Sequence, residues 1–103
     1  MNNNILNSLK TLKEKYKESG FFIVGVFGSY ARNEETNNSD IDILYNLDKK
    51  FVTTYGGWGS ISKLDAIKNE IKQLLNIQNV DLASGDNNSK TFQKTIKEEL
   101  IYV

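Results

Sequence analysis

Apolar residues recur at Ile5, Leu6, Leu9, Leu12 and Tyr16 with lysines and glutamates between them, a three-and-four spacing that predicts a helix over 4–19. Gly20 follows where a C-cap is expected, and the charged face of Lys13, Glu14, Lys15, Lys17 and Glu18 reads as solvated surface. From Phe21 to Phe27 the chain is almost wholly apolar, rich in β-branched and aromatic residues, which predicts a strand covered on both faces. Gly25 inside that run implies a bulge or the close approach of a neighbouring element. Gly28-Ser29 then turns the chain into a short helix predicted over 29–33, and the polar residues 34–39 have loop composition.

A second strand is predicted over 40–47, where a period of two sends Asp40 and Asp42 to one face and Ile41, Ile43 and Tyr45 to the other. Residues 49–60, which contain Gly56-Gly57-Trp58-Gly59, are expected to form a long connection, either a mobile loop or a weak extra hairpin. An amphipathic helix is predicted over 60–76, with Ile61, Leu64, Ile67, Ile71, Leu74 and Leu75 on its apolar side and Ser60 or Ser62 as N-cap. A short third strand over 79–83, a loop over 85–89 and a last helix over 90–100 complete the periodic elements, and Ile101-Tyr102-Val103 has the composition of a strand that adds to a sheet edge or meets a partner. The expected order is α-β-α-β-α-β-α. It corresponds to an α/β (α+β) fold spanning residues 1–103 as one small domain, a single mixed sheet of about three strands flanked by helices.

Composition narrows the chemistry. Lys+Arg and Asp+Glu both total 13, so the formal net charge is zero and no bulk field favours coating a nucleic acid. Cysteine and histidine are both absent, which excludes disulfides, thiolate or imidazole metal sites and histidine-based triads. Any metal ligands must therefore be carboxylates, which favour magnesium or manganese. No apolar run reaches the length of a membrane span, and Met1 is followed by asparagines instead of a basic and apolar leader; a cytosolic location is expected. Proline is absent too, leaving glycine and Asn/Asp/Ser clusters to punctuate the chain.

The candidate chemistry lies in Gly28-Ser29 and, ten residues on, Asp40-Ile41-Asp42. Glycine lets the backbone approach a phosphate, a following helix N-terminus offers unpaired N–H groups, and the serine hydroxyl adds a donor. Arg32 could add positive charge beside a leaving group. Asp40 and Asp42 share a face of one strand and could hold a pair of divalent ions, and Asp81, flanked by Val80 and Leu82, is the candidate third carboxylate, since an ion would offset its desolvation. Each feature also has a plainer reading. Gly28-Ser29 fits an ordinary capped turn, Arg32 fits a surface pair with Glu34 or Glu35, and Asp81 fits a solvent-facing strand edge or a lysine pair. The conjunction of strand, Gly-Ser, loop, Asp-x-Asp and a third strand with an aspartate favours nucleotidyl transfer, which needs alignment of oxygens and neutralisation of triphosphate charge.

These residues resemble the signature of the DNA polymerase beta nucleotidyltransferase superfamily, in particular its minimal nucleotidyltransferases. The resemblance runs from the first helix through Gly28-Ser29-Tyr30-Ala31-Arg32, Asp40-Ile41-Asp42 and Val80-Asp81-Leu82 to Glu98-Glu99-Leu100-Ile101-Tyr102. It implies that Gly28 and Ser29 bind phosphate, that Asp40 and Asp42 bind metal, and that Asp81 ligates metal and helps activate the acceptor. It further implies Mg2+ as cofactor, as two ions with Mn2+ as a substitute, and ATP as substrate. The implied role is that of an antitoxin that transfers AMP to a tyrosine of a HEPN-type ribonuclease toxin. An accessory substrate domain finds no room in 103 residues, which is expected to favour a protein acceptor over a small molecule or an RNA end. The alternative is a non-catalytic antitoxin that occludes its partner, using Trp58 and the terminal Ile101-Tyr102-Val103; Trp58 otherwise reads as a packing residue or loop anchor. The motif addresses phosphates and metals, not the base.

Overall fold

The computed structural model describes residues 1–103. Helix α1 (Asn3–Lys17) begins where the Asn2 side chain accepts the N–H groups of Asn4 and Ile5, a capping arrangement that satisfies two otherwise orphaned donors. It buries Leu9, Leu12 and Tyr16. Gly20, at φ 86°, closes the turn into strand β1 (Phe21–Phe27), and its α-carbon lies against the Asp48 carboxylate where a β-carbon would collide.

Strand β1 pairs antiparallel with β2 (Ile41–Leu47), and β2 pairs in parallel with β3 (Val80–Ser84). The terminal strand β4 (Ile101–Tyr102) pairs antiparallel with the outer side of β1, giving a four-stranded sheet in the order β3-β2-β1-β4. The sheet therefore has one strand more than the periodic pattern implied. The terminal residues join it because Gly25 has no side chain: a β-carbon there would meet the Ile101 carbonyl oxygen and the Leu100 side chain.

A register shift between Ile23 and Gly25 marks a bulge in β1. Its consequence reaches the whole sheet, because an extra residue moves every later side chain to the opposite face. Phe21, Ile23 and Val26 all enter the main core despite the odd spacing, and Phe27 moves to the other face. The main core joins these residues to Leu9, Leu12 and Tyr16 of α1, Ile41 and Ile43 of β2, Val80 of β3 and residues of the next two helices. Phe21 centres an aromatic group, stacked on Tyr45 at 5.1 Å and edge-on to Tyr16 at 5.9 Å.

Residues 49–60 are helical, not the loop or hairpin that their composition suggested. Helix α2 (Lys49–Tyr55) starts at Asp48, whose side chain accepts the Phe51 N–H, and Gly56 at φ 73° breaks it from α3 (Gly57–Leu75). The β-branched and glycine-rich composition lowers local propensity, but Phe51 is completely buried in the core and tertiary packing overrides it. No side chain caps α3; Ser60 instead donates its hydroxyl to the Gly56 carbonyl. Ile67 and Ile71 are buried as expected, whereas Ile61 and Leu74 face solvent. Trp58 is 86% exposed on the first turn of α3, so it neither packs nor anchors a loop.

On the opposite face of the sheet lies α4 (Lys90–Glu99), capped by Ser89 and carrying no fully buried residue. It is fastened by Phe92, edge-on to Phe27 at 5.8 Å. This thinly covered face carries the candidate site.

Two glycine substitutions should act in opposite directions in urea unfolding. Gly25→Ala forces a side chain into the backbone of β4 and is expected to cost about 1–3 kcal/mol. Gly59→Ala, where an added β-carbon would meet only Tyr55 Cβ at 3.6 Å, is expected to stabilise by about 0.5 kcal/mol through helix propensity.

Candidate active site

Phe27 of β1, Asp42 of β2 and Asp81 of β3 are successive partners across the sheet. Side chains in register on neighbouring strands share a face, with backbones about 4.8 Å apart. The bulge thus brings the end of β1, and the Gly28 turn that continues it, onto the face that carries both aspartates.

At the turn, Gly28 has φ 78° and its α-carbon lies directly against the Asp42 carboxylate, in the space a β-carbon would occupy. Only glycine tolerates both the positive φ and the approach. The segment after it is not the short helix expected from the sequence but a series of turns, with the Arg32 N–H donating to the Gly28 carbonyl and the Glu34 N–H to the Ser29 carbonyl. The backbone N–H groups of Ser29, Tyr30 and Ala31 have no acceptor in the chain. Free N–H groups in a tight turn form an anion-binding concavity without a helix dipole.

A cleft of about 430 Å³ opens on this turn, lined by Phe27, Gly28, Ser29, Arg32, Ser39, Asp40, Asp42, Thr95 and Glu99. Five of the residues singled out in the sequence, Gly28, Ser29, Arg32, Asp40 and Asp42, share its walls. Asp81 does not line it. This aspartate is exposed on the edge strand and borders a neighbouring groove with Tyr45, Ile61, Leu64 and Leu82. Its charge nevertheless reaches Asp42. The Asp42 carboxyl is pushed up from 3.8 to about 6, first by burial and then by the negative charges of Asp81 and Asp40, with Arg32 pulling the other way.

The donor set around Asp42 is all oxygen, which suits magnesium or manganese. No three acidic side chains stand close enough together to cage an ion unaided. Magnesium does not require such a cage, since it commonly takes one or two carboxylates and completes its shell with water and substrate phosphates. Asp40 and Asp42 beside an anion-binding turn fit that pattern.

Sequence reasoning missed Glu99 as a site residue. Its carboxylate accepts the Gly28 N–H at 3.1 Å and Arg32 Nη1 at 2.7 Å. Arg32 also pairs through Nε with Glu34 at 3.4 Å, as the plainer reading of that residue anticipated. A signal for Glu99 was present: Glu98 and Glu99 end α4, where the helix dipole disfavours negative charge.

Residues 7–103 match the family model described as polymerase beta, nucleotidyltransferase. A protein of Methanocaldococcus jannaschii, named provisionally as a protein adenylyltransferase, is 40% identical over 95 residues, 91% of this chain and 85% of its own. Protein adenylyltransferase MntA of Thermococcus cleftensis is 31% identical over 94 residues, 91% of this chain and 83% of its own. Among solved structures, one described as a provisional minimal nucleotidyltransferase superposes with a TM-score of 0.66 at 24% identity, covering 95% of both chains. A toxin–antitoxin crystal structure with AMP-PNP superposes with a TM-score of 0.63 at 19% identity, covering 93% of this chain and 69% of that one. At these identities the two superpositions establish the fold.

The raised Asp42 pKa makes the fold less stable at higher pH. Between 3.8 and about 6 the folded chain holds a proton that the unfolded chain has released, so stability falls as pH rises through that window and the loss is complete above it. In chelator-containing buffer, Asp42→Asn is therefore expected to melt higher than the parent at pH 8, with the difference vanishing toward pH 4. A parent that melts as high as the variant at pH 8 would contradict the strain assigned to this carboxylate.

Proposed function

The chain belongs to the polymerase beta nucleotidyltransferase family, and we propose that it transfers AMP from ATP to a tyrosine of a HEPN-type ribonuclease toxin and thereby neutralises it. The observation that carries this reading is the contact of the Gly28 turn with Asp42, which holds an anion-binding backbone against a carboxylate suited to metal. The adenylyltransferase names of relatives at 31% and 40% identity support AMP as the group transferred. The toxin–antitoxin neighbour with AMP-PNP accords with a toxin partner and with ATP as substrate.

In this reading Gly28, Ser29 and Arg32 hold the β- and γ-phosphates, and Asp40 and Asp42 hold Mg2+, with Asp81 beside them. Bound there, Mg2+ or Mn2+ neutralises triphosphate charge and supports the entering and departing oxygens. The tyrosine hydroxyl oxygen bonds to the α-phosphorus, the bond from that phosphorus to the bridging oxygen of the β-phosphate breaks, and pyrophosphate departs. The hydroxyl proton passes to Asp81, the exposed carboxylate on the open edge of the sheet. The residues given these roles address phosphates and metal, so preference for adenine must arise elsewhere. No helix is long and apolar enough to cross a membrane.

A second reading, neutralisation by binding alone, is favoured by Trp58 at 86% and Tyr102 at 75% exposure, large aromatics of the kind that anchor interfaces.

Incubation with ATP labelled at the α-phosphate, Mg2+ and the protein encoded by the adjacent reading frame tests the two. AMP transfer is expected on a partner tyrosine, lost on its change to Phe, and reduced about 100-fold or more by Asp42→Asn. Undiminished labelling by Asp42→Asn would overturn the catalytic reading. Full neutralisation by Asp42→Asn without ATP would establish the occluding one.

A further inference from the structure

Two of the donors that the preceding reading assigns to the triphosphate, the Gly28 N–H and the Arg32 guanidinium, are already engaged. One oxygen of Glu99 accepts both the Gly28 N–H at 3.1 Å and Arg32 Nη1 at 2.7 Å. A carboxylate oxygen shared by a backbone N–H and a guanidinium has the geometry expected of a bound phosphate oxygen. An N–H group carries one proton, so a phosphate cannot take Gly28 while Glu99 keeps it. Arg32 already pairs with both Glu34 and Glu99, so a phosphate would be a third anion on one guanidinium, in a cleft that also holds Asp40 and Asp42.

From this geometry we infer that Glu99 is an internal competitor for the phosphate cradle, which nucleotide must displace and which returns when pyrophosphate leaves. The inference rests on the reading of Gly28, Ser29 and Arg32 as the phosphate site. Displacement requires only rotation of a side chain that already borders the cleft and is 22% exposed. Arg32 has a second partner on its own turn, with Nε 3.4 Å from Glu34. The return of Glu99 re-pairs the Gly28 N–H and the guanidinium, so release of pyrophosphate does not leave them bare.

Such a competitor discriminates by phosphate content. It opposes any ligand that needs the Gly28 and Arg32 donors, and it is indifferent to one that reaches only the metal side of the cleft. ATP and pyrophosphate belong to the first class and AMP to the second. Glu99 thus weakens binding of substrate and leaving group together while sparing the mononucleotide.

Isothermal titration of the full chain with AMP-PNP, pyrophosphate and AMP, each with Mg2+, tests this. Glu99→Gln is expected to tighten AMP-PNP and pyrophosphate about tenfold each and leave AMP unchanged. Glu98→Gln, which alters an exposed neighbour with no ion pair, is expected to change none of the three. If Glu99→Gln fails to fold, Glu99→Asp decides, since a carboxylate one methylene shorter withdraws from the same donors. Unchanged or weaker AMP-PNP binding in the folded variant would overturn the inference, as would equal tightening of AMP. Ser29→Ala and Arg32→Ala separate the two levels. If they weaken AMP-PNP while Glu99→Gln does not strengthen it, only the competitor fails; if they leave AMP-PNP binding intact, the phosphate site itself is misplaced.

Discussion

The site depends on how closely the backbone at Gly28 approaches the Asp42 carboxylate. Three conditions meet there: a positive φ, the absence of a β-carbon, and a register that puts the end of β1 beside the start of β2. Loss of any one separates the anion-binding turn from the carboxylates. The bulge at Ile23 to Gly25 supplies the register, and the same glycine that relaxes the strand there also admits β4 along its outer edge. One residue without a side chain therefore serves both the sheet and, at a distance, the site.

The electrostatics of the cleft are unfavourable to the fold taken alone. Asp42 is half-buried among Asp40, Asp81 and Glu99, and only Arg32 opposes them. Carboxylates gathered with too little positive charge raise one another's pKa, and this is the arrangement expected of a site whose missing charge arrives with its ligands. Glu99 adds to the imbalance at Asp42, while its own charge is held by Arg32 and the Gly28 N–H. Its position ties α4 to the turn, so the helix that covers the site face is also hydrogen-bonded to the donors it screens.

The large exposed aromatics lie apart from this charge balance. Trp58 on α3 and Tyr102 on β4 belong to different elements and contribute little to the core. Around them the helices are held by buried aliphatic residues and by Phe51, so these aromatics are free to serve contacts outside the fold.

Much of this could be read along the chain. The amphipathic spacing of α1 and α4, the apolar run of β1, the alternation in β2 and the turn residues around β3 are local patterns, and a local pattern specifies a local element. The Gly28-Ser29 turn and Asp40-Ile41-Asp42 could be picked out as neighbours for the same reason, since their residue types stand at short spacing, and the structure places them in one cleft. What could not be read was set by contacts between distant parts. Helix α2 exists because Phe51 reaches a core assembled from α1, β1 and β2, against the propensity of its own sequence. The bulge became certain only once β1 had a partner to be out of step with, and it decides which face Phe27 joins. Asp81 could be nominated from its apolar neighbours, but pairing of β3 with β2 was needed to put it beside Asp42 and outside the cleft. Glu99 lies 71 residues from Gly28, a separation at which sequence alone specifies charge and composition, while folding decides which charges meet.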